Sequence, residues 1–330
     1  YPADGEISDI ATDTRTIKPG SLFIALKGEN FDGHNFAAKA MELGEEAVDT
    51  ERPVEGARCM IVDSTARALL DIAGYYRSKF DVKVVGVTGS VGKTTTKDMI
   101  ALVVAQKYKT LKTQGNHNNE IGMPQTLFGL DSSYEAAVIG MGMSHQGEIS
   151  RMSMSCQPDV AVITNIGISH IENLGTQENI LKAKLEILDG AAYDAPLILC
   201  RDDKLLAGVQ LHSDRKVYYY SVSKKDCDVY ASGVKTVDNS ITFTINYEGG
   251  KIAAQINCLG EHNVKNALAA FCVGLALDIP PEDIVKGIAQ FKPEGLRQNV
   301  TVIDGVTYIV DCYNAAPDSM KASLSVLSQA

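Results

Sequence analysis

The run Val84-Val85-Gly86-Val87-Thr88 followed by Gly89-Ser90-Val91-Gly92-Lys93-Thr94 restricts what this chain can fold into more than any other stretch. A short apolar strand, a glycine turn and a helix opening near Thr94 make half of a β–α–β unit. Such units assemble into mostly parallel sheets with helices on both faces, so the fold class is α/β. The glycines let the turn bring backbone N–H groups up to an anion. The following helix points its positive end at the same place. Gly89, Ser90, Val91, Gly92, Lys93, Thr94 and Thr95 are therefore the candidate ATP-phosphate residues. Lys93 would reach the terminal phosphates and the Thr94 hydroxyl would place Mg2+. The strict GxxxxGK[ST] spacing would need a glycine where Val87 stands, so the loop is a variant form.

The rest of the chain keeps the same rhythm. Apolar strands are expected at 136–141, 160–164 and 197–200, and helices at 94–105, 178–188, 263–276 and 281–291. Alternating stretches at 241–247 and 251–258 flank Glu248-Gly249-Gly250 and predict a hairpin; 300–304 and 306–310 predict another around Asp304-Gly305. Before this core, a strand at 21–26, a helix at 35–43, a strand at 57–62 and a helix at 65–80 carrying Leu69, Leu70 and Ala73 predict a small α/β domain. Lys292-Pro293-Glu294-Gly295 is expected to be a linker, and a last helix starts near Ser319.

Charge narrows the function. Asp and Glu number 41 against 31 Lys and Arg, a net charge of −10. That balance argues against a general nucleic-acid binder. No apolar run reaches the roughly 18 residues of a membrane span, and no apolar signal segment opens the chain. The chain begins at Tyr1 rather than Met, which leaves room for a missing start. Seven cysteines, without a CxxC pair, are expected to be reduced core thiols of a cytoplasmic protein, and no zinc site is expected.

Further motifs follow in order. They are Asp13-Thr14-Arg15, Lys18-Pro19-Gly20-Ser21-Leu22-Phe23 and Asp32-Gly33-His34; Gly115-Asn116-His117-Asn118-Asn119-Glu120; Thr164-Asn165-Ile166-Gly167-Ile168-Ser169-His170; Lys182-Ala183-Lys184-Leu185-Glu186; Gly260-Glu261-His262-Asn263-Val264-Lys265-Asn266; and Arg297 with Asp311-Cys312-Tyr313-Asn314. Each also has an ordinary structural use. These uses are a turn at Asp32, asparagines bonding their own backbone, a solvated His170, a solvated lysine face, a helix cap at Asn263 and a polar linker.

Taken together with the P-loop, these motifs resemble the Mur ligases, ATP-dependent amide-forming enzymes of peptidoglycan precursor synthesis, from about Asp13 to the end of the chain. The resemblance is greatest to the branch that adds D-Ala-D-Ala. It implies a UDP-substrate-binding domain at 1–81, a central ATP-binding parallel-sheet domain at 82–295 and the beginning of a carboxy-terminal α/β domain at 296–330. It implies UDP-N-acetylmuramoyl-tripeptide and D-Ala-D-Ala as substrates, joined through an acyl phosphate with release of ADP and phosphate. Thr14 and Arg15 would hold the UDP end, with Thr14 where a serine is usual. Asn116, Asn118 and Asn119 would lie against the muramoyl-peptide. Lys93, His170 and Lys184 would be catalytic, with Lys184 carbamylated and, like His170 and Thr94, a ligand of Mg2+. Asn266 would contact the base, Arg297 a phosphate and Asp311 the ribose. A bacterial cytoplasmic monomer is implied, with no nucleic-acid partner.

Two departures stand out. Gly140, in Ala137-Val138-Ile139-Gly140-Met141-Gly142-Met143, replaces a glutamate that ligates magnesium in the family. Either a neighbour or water completes the site, or metal affinity and turnover fall; Glu148 matches a different position and is not taken as a ligand. The family's carboxy-terminal domain, which closes over ATP and binds the amine, reaches only about one helix here. A chain ending there is expected to bind nucleotide poorly. Other readings stay open: a third-residue-adding or folylpolyglutamate-type relative, or a non-catalytic nucleotide- or substrate-binding module.

Overall fold

In the computed structural model, residues 7–44, 47–211, 214–293, 295 and 297–328 are described. Glu294 of the expected linker and Leu296 at the expected domain boundary lie outside them. The chain divides into two compact units, Tyr1–Lys79 and Phe80–Ala330.

The first unit is a four-stranded parallel sheet in the order β1-β2-β3-β4, built from β1 (Asp9–Ala11), β2 (Ser21–Ile24), β3 (Ala47–Thr50) and β4 (Cys59–Ile61). Helix α1 (Ala37–Glu42) follows a tight turn of 3-10 helix at Gly33–Phe36, and α2 (Thr65–Arg77) follows β4. Phe23, Ala25, Ala37, Ala40 and Val48 form a small-residue core. Ser64 caps α2 by accepting from the Arg67 N–H, and Leu69, Leu70 and Ala73 face inward as their spacing predicts.

The second unit holds a nine-stranded sheet in the order β13-β12-β11-β10-β9-β8-β5-β7-β6. Its elements are β5 (Lys83–Thr88), α3 (Lys93–Val104), β6 (Thr110–Lys112), α4 (Gly122–Leu127), β7 (Ala136–Gly140), α5 (Glu148–Cys156), β8 (Val160–Ile163), α6 (Ile171–Leu174), α7 (Gln177–Leu185), β9 (Leu197–Cys200), β10 (Val217–Ser221), β11 (Val229–Val237), β12 (Ser240–Tyr247), β13 (Gly250–Ile256), α8 (Glu261–Ala276) and α9 (Pro281–Ala289). Strand β5 pairs in parallel with β7 and β8, the parallel pairing continues outward through β6 on one side and β9, β10 and β11 on the other, and β12 and β13 close that edge as an antiparallel hairpin. A second hairpin, β14 (Asn299–Ile303) with β15 (Val306–Val310), precedes α10 (Pro317–Leu327).

Strand β5 is central. Val84, Val85 and Val87 are wholly buried, worth about 1.5–3 kcal/mol each. The chain runs from β5 out to β6, back to β7, then across to β8 on the other side of β5. This reversal opens a crevice at the carboxyl ends of β5, β7 and β8, where open α/β sheets gather ligands.

Several expectations are corrected. Strands β1, β3, β6, β10 and β11 and helices α4 and α5 were absent from the sequence-based outline. β6 is three residues with two polar side chains, and β11 carries five consecutive exposed residues, so neither has an apolar signature. Asn263 does not cap α8. Gly260, with φ +94, takes that position, and Asn263 turns inward. Four cysteines are buried thiols, but Cys59 and Cys227 are only partly buried and Cys312 is exposed.

Candidate active site

The phosphate loop joins β5 to α3. A Cβ on Gly89 would lie 1.9 Å from Thr164 Oγ1, so only glycine lets the loop touch β8. Gly92 sits at φ +81, a left-handed conformation that aims the first N–H groups of α3 into the crevice. The loop is tied to the end of β8. Ser90 N–H donates to Asn165 O (3.1 Å), Val91 N–H to Asn165 Oδ1 (3.0 Å), and Val91 O accepts from Thr164 Oγ1 (2.8 Å) and Asn165 Nδ2 (2.9 Å). Lys93 folds back on the loop, donating from Nζ to Gly89 O at 2.7 Å and Ser90 O at 3.3 Å. Burial and the nearby Arg297 charge push its pKa down to about 8.

Two cavities flank this loop. One, of about 370 Å³, is lined by Val91, Gly92, Thr95, Asn263, Asn266 and Arg297 among others. Asn266 is engaged at both ends: Oδ1 accepts from Thr96 Oγ1 (3.0 Å) and Nδ2 donates to Asn263 Oδ1 (3.0 Å). Asp311 borders this cavity and accepts from the Ser323 hydroxyl.

The other cavity, of about 350 Å³, gathers Lys93, Thr94, Asn116, Asn118, Asn119, Glu148 and His170, with Arg297 and Asp311 shared. Asn119 also bonds its own backbone, accepting from Gly122 N–H at 2.8 Å. Glu148 is held by the Ser144 N–H at 2.7 Å. His170 stands at φ +63, and its pKa is lowered by burial and by the charges of Lys93 and Lys184. Lys182 is exposed while Lys184 is 2% exposed, which removes the solvated-face reading for Lys184. Burial, then Lys93, pushes Lys184 well below the ordinary lysine range, and its amine makes no hydrogen bond or ion pair among the described residues.

Gly140 ends β7, and a Cβ there would meet only Asn118 Cβ at 3.5 Å and Lys97 Cδ at 3.7 Å. The position is buried, and a Cβ fits there at ordinary contact distances. Lys97 lies beside it, buried, donating to Thr113 O and 3.3 Å from Asp98.

A phosphate-bound magnesium fits this donor set. The Thr94 hydroxyl lines the second cavity, and Mg2+ keeps waters and takes phosphate oxygens. A second ion held by unmodified side chains does not fit. No three His, Cys, Asp or Glu side chains gather among the described residues, Gly140 brings no donor, and the Lys184 amine would have to become a carbamate first.

In the first unit, Thr14 and Arg15 follow β1. The Arg15 guanidinium is exposed and grips Asp13 through two hydrogen bonds from Nε at 2.9 and 3.0 Å, holding that carboxyl at about 2. Asp32 caps the turn at His34, accepting from its N–H at 3.0 Å.

Sequence reasoning missed Gln298, Lys97 and Asp203, and gave His262 no role although it stands in the motif from Gly260 to Asn266. Asp203 accepts from the Ile166, Leu205 and Leu206 N–H groups and so fixes the end of β8. None of the three missed residues lies in a spacing that signals chemistry.

Known proteins share this arrangement. The description "Mur ligase middle domain" matches residues 87–274, and "Mur ligase family, catalytic domain" matches residues 6–74. A UDP-N-acetylmuramoyl-tripeptide–D-alanyl-D-alanine ligase of Bacillus subtilis is 42% identical over 97% of this chain and 70% of its own length. The Escherichia coli protein of that name is 34% identical over 99% and 73%. Among solved structures, MurF from Acinetobacter baumannii superposes with a TM-score of 0.93 at 36% identity, covering 98% of this chain and 72% of its own. MurF ligase from Thermotoga maritima in complex with ADP gives 0.89 at 29% identity, covering 98% and 75%.

Proposed function

Because the chain belongs to the Mur ligase family, we propose that it is the ADP-forming ligase that adds D-Ala-D-Ala to UDP-N-acetylmuramoyl-tripeptide. The observation that supports this reading most is one cavity lined by the phosphate loop, Lys93, Thr94 and His170, with the buried Lys184 near enough to His170 for its charge to act on that ring.

A carboxylate is a poor electrophile, so it is activated first. A terminal carboxylate oxygen of the tripeptide attacks the γ-phosphate of ATP, and ADP leaves. The amine of D-Ala-D-Ala then attacks the acyl carbon, loses a proton, and phosphate departs with that oxygen. The loop N–H groups and the α3 terminus hold the phosphates. Lys93 leaves the Gly89 carbonyl for the transferring phosphoryl group. In its uncharged form, which burial favours, the Lys184 amine would add CO2 and shed a proton, becoming an anionic carbamate. Thr94 would hold one magnesium, and His170 with the Lys184 carbamate a second; both would neutralise charge between phosphate and carboxylate. Asn266 borders the base, Arg297 contacts phosphate and Asp311 the ribose. Asn116, Asn118 and Asn119 face the muramoyl-peptide, and Thr14 and Arg15 the UDP end. Domains at 1–81, 82–295 and 296–330, a monomeric state and a bacterial cytoplasmic location complete the proposal. Among the described residues no helix is long and apolar enough to cross a membrane.

The test is ADP release from ATP with UDP-N-acetylmuramoyl-tripeptide, with and without D-Ala-D-Ala. Release that requires D-Ala-D-Ala supports the assignment. Release that ignores it and follows a free diamino acid or glutamate overturns it. Gly140 favours a second reading, a nucleotide-binding module without turnover, which gains if Gly140→Glu leaves an inactive chain inactive.

A further inference from the structure

A line of hydrogen bonds leaves the phosphate loop's helix and ends beside Arg297. Thr96 of α3 meets Asn266, Asn266 meets Asn263, and Asn263 Nδ2 lies 3.0 Å from Gln298 Oε1, which also lies 3.0 Å from His262 Nε2. One backbone carbonyl sets the polarity of the whole line. Asn263 Nδ2 faces Leu259 O at 2.7 Å, so that end must be the NH2. Its oxygen therefore faces Asn266 Nδ2, the Asn266 oxygen faces Thr96, and the Thr96 hydroxyl donates. In the other direction Gln298 must present its oxygen to Asn263. His262 can then only donate, so its proton sits on Nε2.

Gln298 has φ +48, a conformation non-glycine residues rarely adopt and which persists only where its surroundings hold it. The two donors on its oxygen supply that hold. The preceding residue, Arg297, lies over the Tyr313 ring at 4.0 Å and borders both cavities.

We infer that Gln298 is a positioning residue: it ends an amide relay from Thr96 and fixes Arg297 between the base-side and phosphate-side cavities. The inference rests on the proposed nucleotide site and on nothing further in the ligase reading.

The test is ADP affinity by calorimetry on the full chain. Gln298→Met removes the acceptor and is expected to weaken binding about tenfold, one hydrogen-bonded anchor's worth. In an Arg297→Met background the same change should cost nothing more, since Gln298 acts through Arg297. Gln298→Glu keeps an oxygen for both donors and should restore most of the affinity. In the unsubstituted protein, nitrogen NMR should find His262 protonated on Nε2. Losses that add in the double variant, a Gln298→Glu as weak as Gln298→Met, or His262 protonated on Nδ1 alone would each overturn the inference. Should Gln298→Met fail to fold, Thr96→Val cuts the far end. Its smaller loss must also vanish without Arg297, and a loss that persists overturns the relay. ADP binding without turnover would sink the ligase reading and leave this one standing; unaltered ADP binding by Gln298→Met would do the reverse.

Discussion

The two cavities that share Arg297 are built on opposite terms. On the base side, the amides of Asn263 and Asn266 are paired at both ends, and Thr96, Gln298 and His262 continue the line. On the phosphate side, the Lys93 amine has only carbonyls for partners, and the buried Lys184 amine makes no hydrogen bond or ion pair among the described residues. Burial, then the charges of Lys93 and Lys184, hold His170 toward its neutral form. Satisfied amides give a wall that keeps its shape before a ligand arrives. Like charges left facing one another give a site whose energy falls when an anion enters. The first arrangement selects geometry and the second draws in phosphate, so substitutions on the two sides should fail differently.

The largest effect is expected on the phosphate side. Lys93→Met should lower ATP turnover by about 10³ or more, the scale of losing a charge aimed at the reacting phosphoryl group, while melting changes little. Turnover within tenfold of the parent would break the contrast. Next comes Lys184→Ala, expected to lose roughly 10²-fold in turnover. In the parent protein, CO2-free buffer should depress activity and bicarbonate should restore it, whereas Lys184→Ala should not respond to bicarbonate. A response in that variant would remove Lys184 from the account.

Glycines at the two strand ends sharpen the contrast in stability. Gly89→Ala drives a Cβ to 1.9 Å from Thr164 Oγ1 and should cost about 2–4 kcal/mol by denaturant unfolding. Gly140→Ala meets only ordinary contacts and should stay within about 0.5 kcal/mol of the parent. Gly140→Glu tests the missing carboxylate directly: the Mg2+ concentration giving half-maximal turnover should fall, by about tenfold for one added carboxylate ligand. An unchanged requirement would mean the carboxylate does not reach the metal.

The smallest effect is a proton. Lys93 titrates near 8 in the folded chain, below its ordinary 10.5. The unfolded chain therefore binds more protons between those values, and the ligand-free protein should gain stability as pH rises through that window. Bound phosphate raises the lysine again. Calorimetry in buffers of different ionisation heat should find proton uptake on ADP binding at pH 8 to 9, less than about one per site, fading below pH 7. Proton release there would contradict the charge assignment.

Much of this contrast was legible in the sequence, though unevenly. The strand, glycine turn and helix from Val84 onward placed the crevice, because consecutive buried valines and a Gly-Lys-Thr turn have few other uses. Both hairpins followed from their turn residues. The buried state of Lys184 could not be read from a lysine-rich helix; only resemblance singled it out. Asn263 has the look of a cap, yet Gly260 starts α8, and the asparagine's partners are 3 and 35 residues away in the chain. Gln298 carried no signal, since its role depends on a backbone angle and on partners brought by α8. Local pattern pointed to the phosphate loop, whose residues are adjacent in the chain. The run from Gly260 to Asn266 was also singled out, but its pairing with Thr96 and Gln298 is made only by the fold.

The central claim is that the phosphate loop serves amide formation through an acyl phosphate. The direct measurement uses UDP-N-acetylmuramoyl-tripeptide labelled with 18O in its terminal carboxylate, together with ATP and D-Ala-D-Ala. The account predicts one 18O in the inorganic phosphate for each amide bond formed. Unlabelled phosphate released alongside product, with the label retained in the peptide or lost to water, would contradict it.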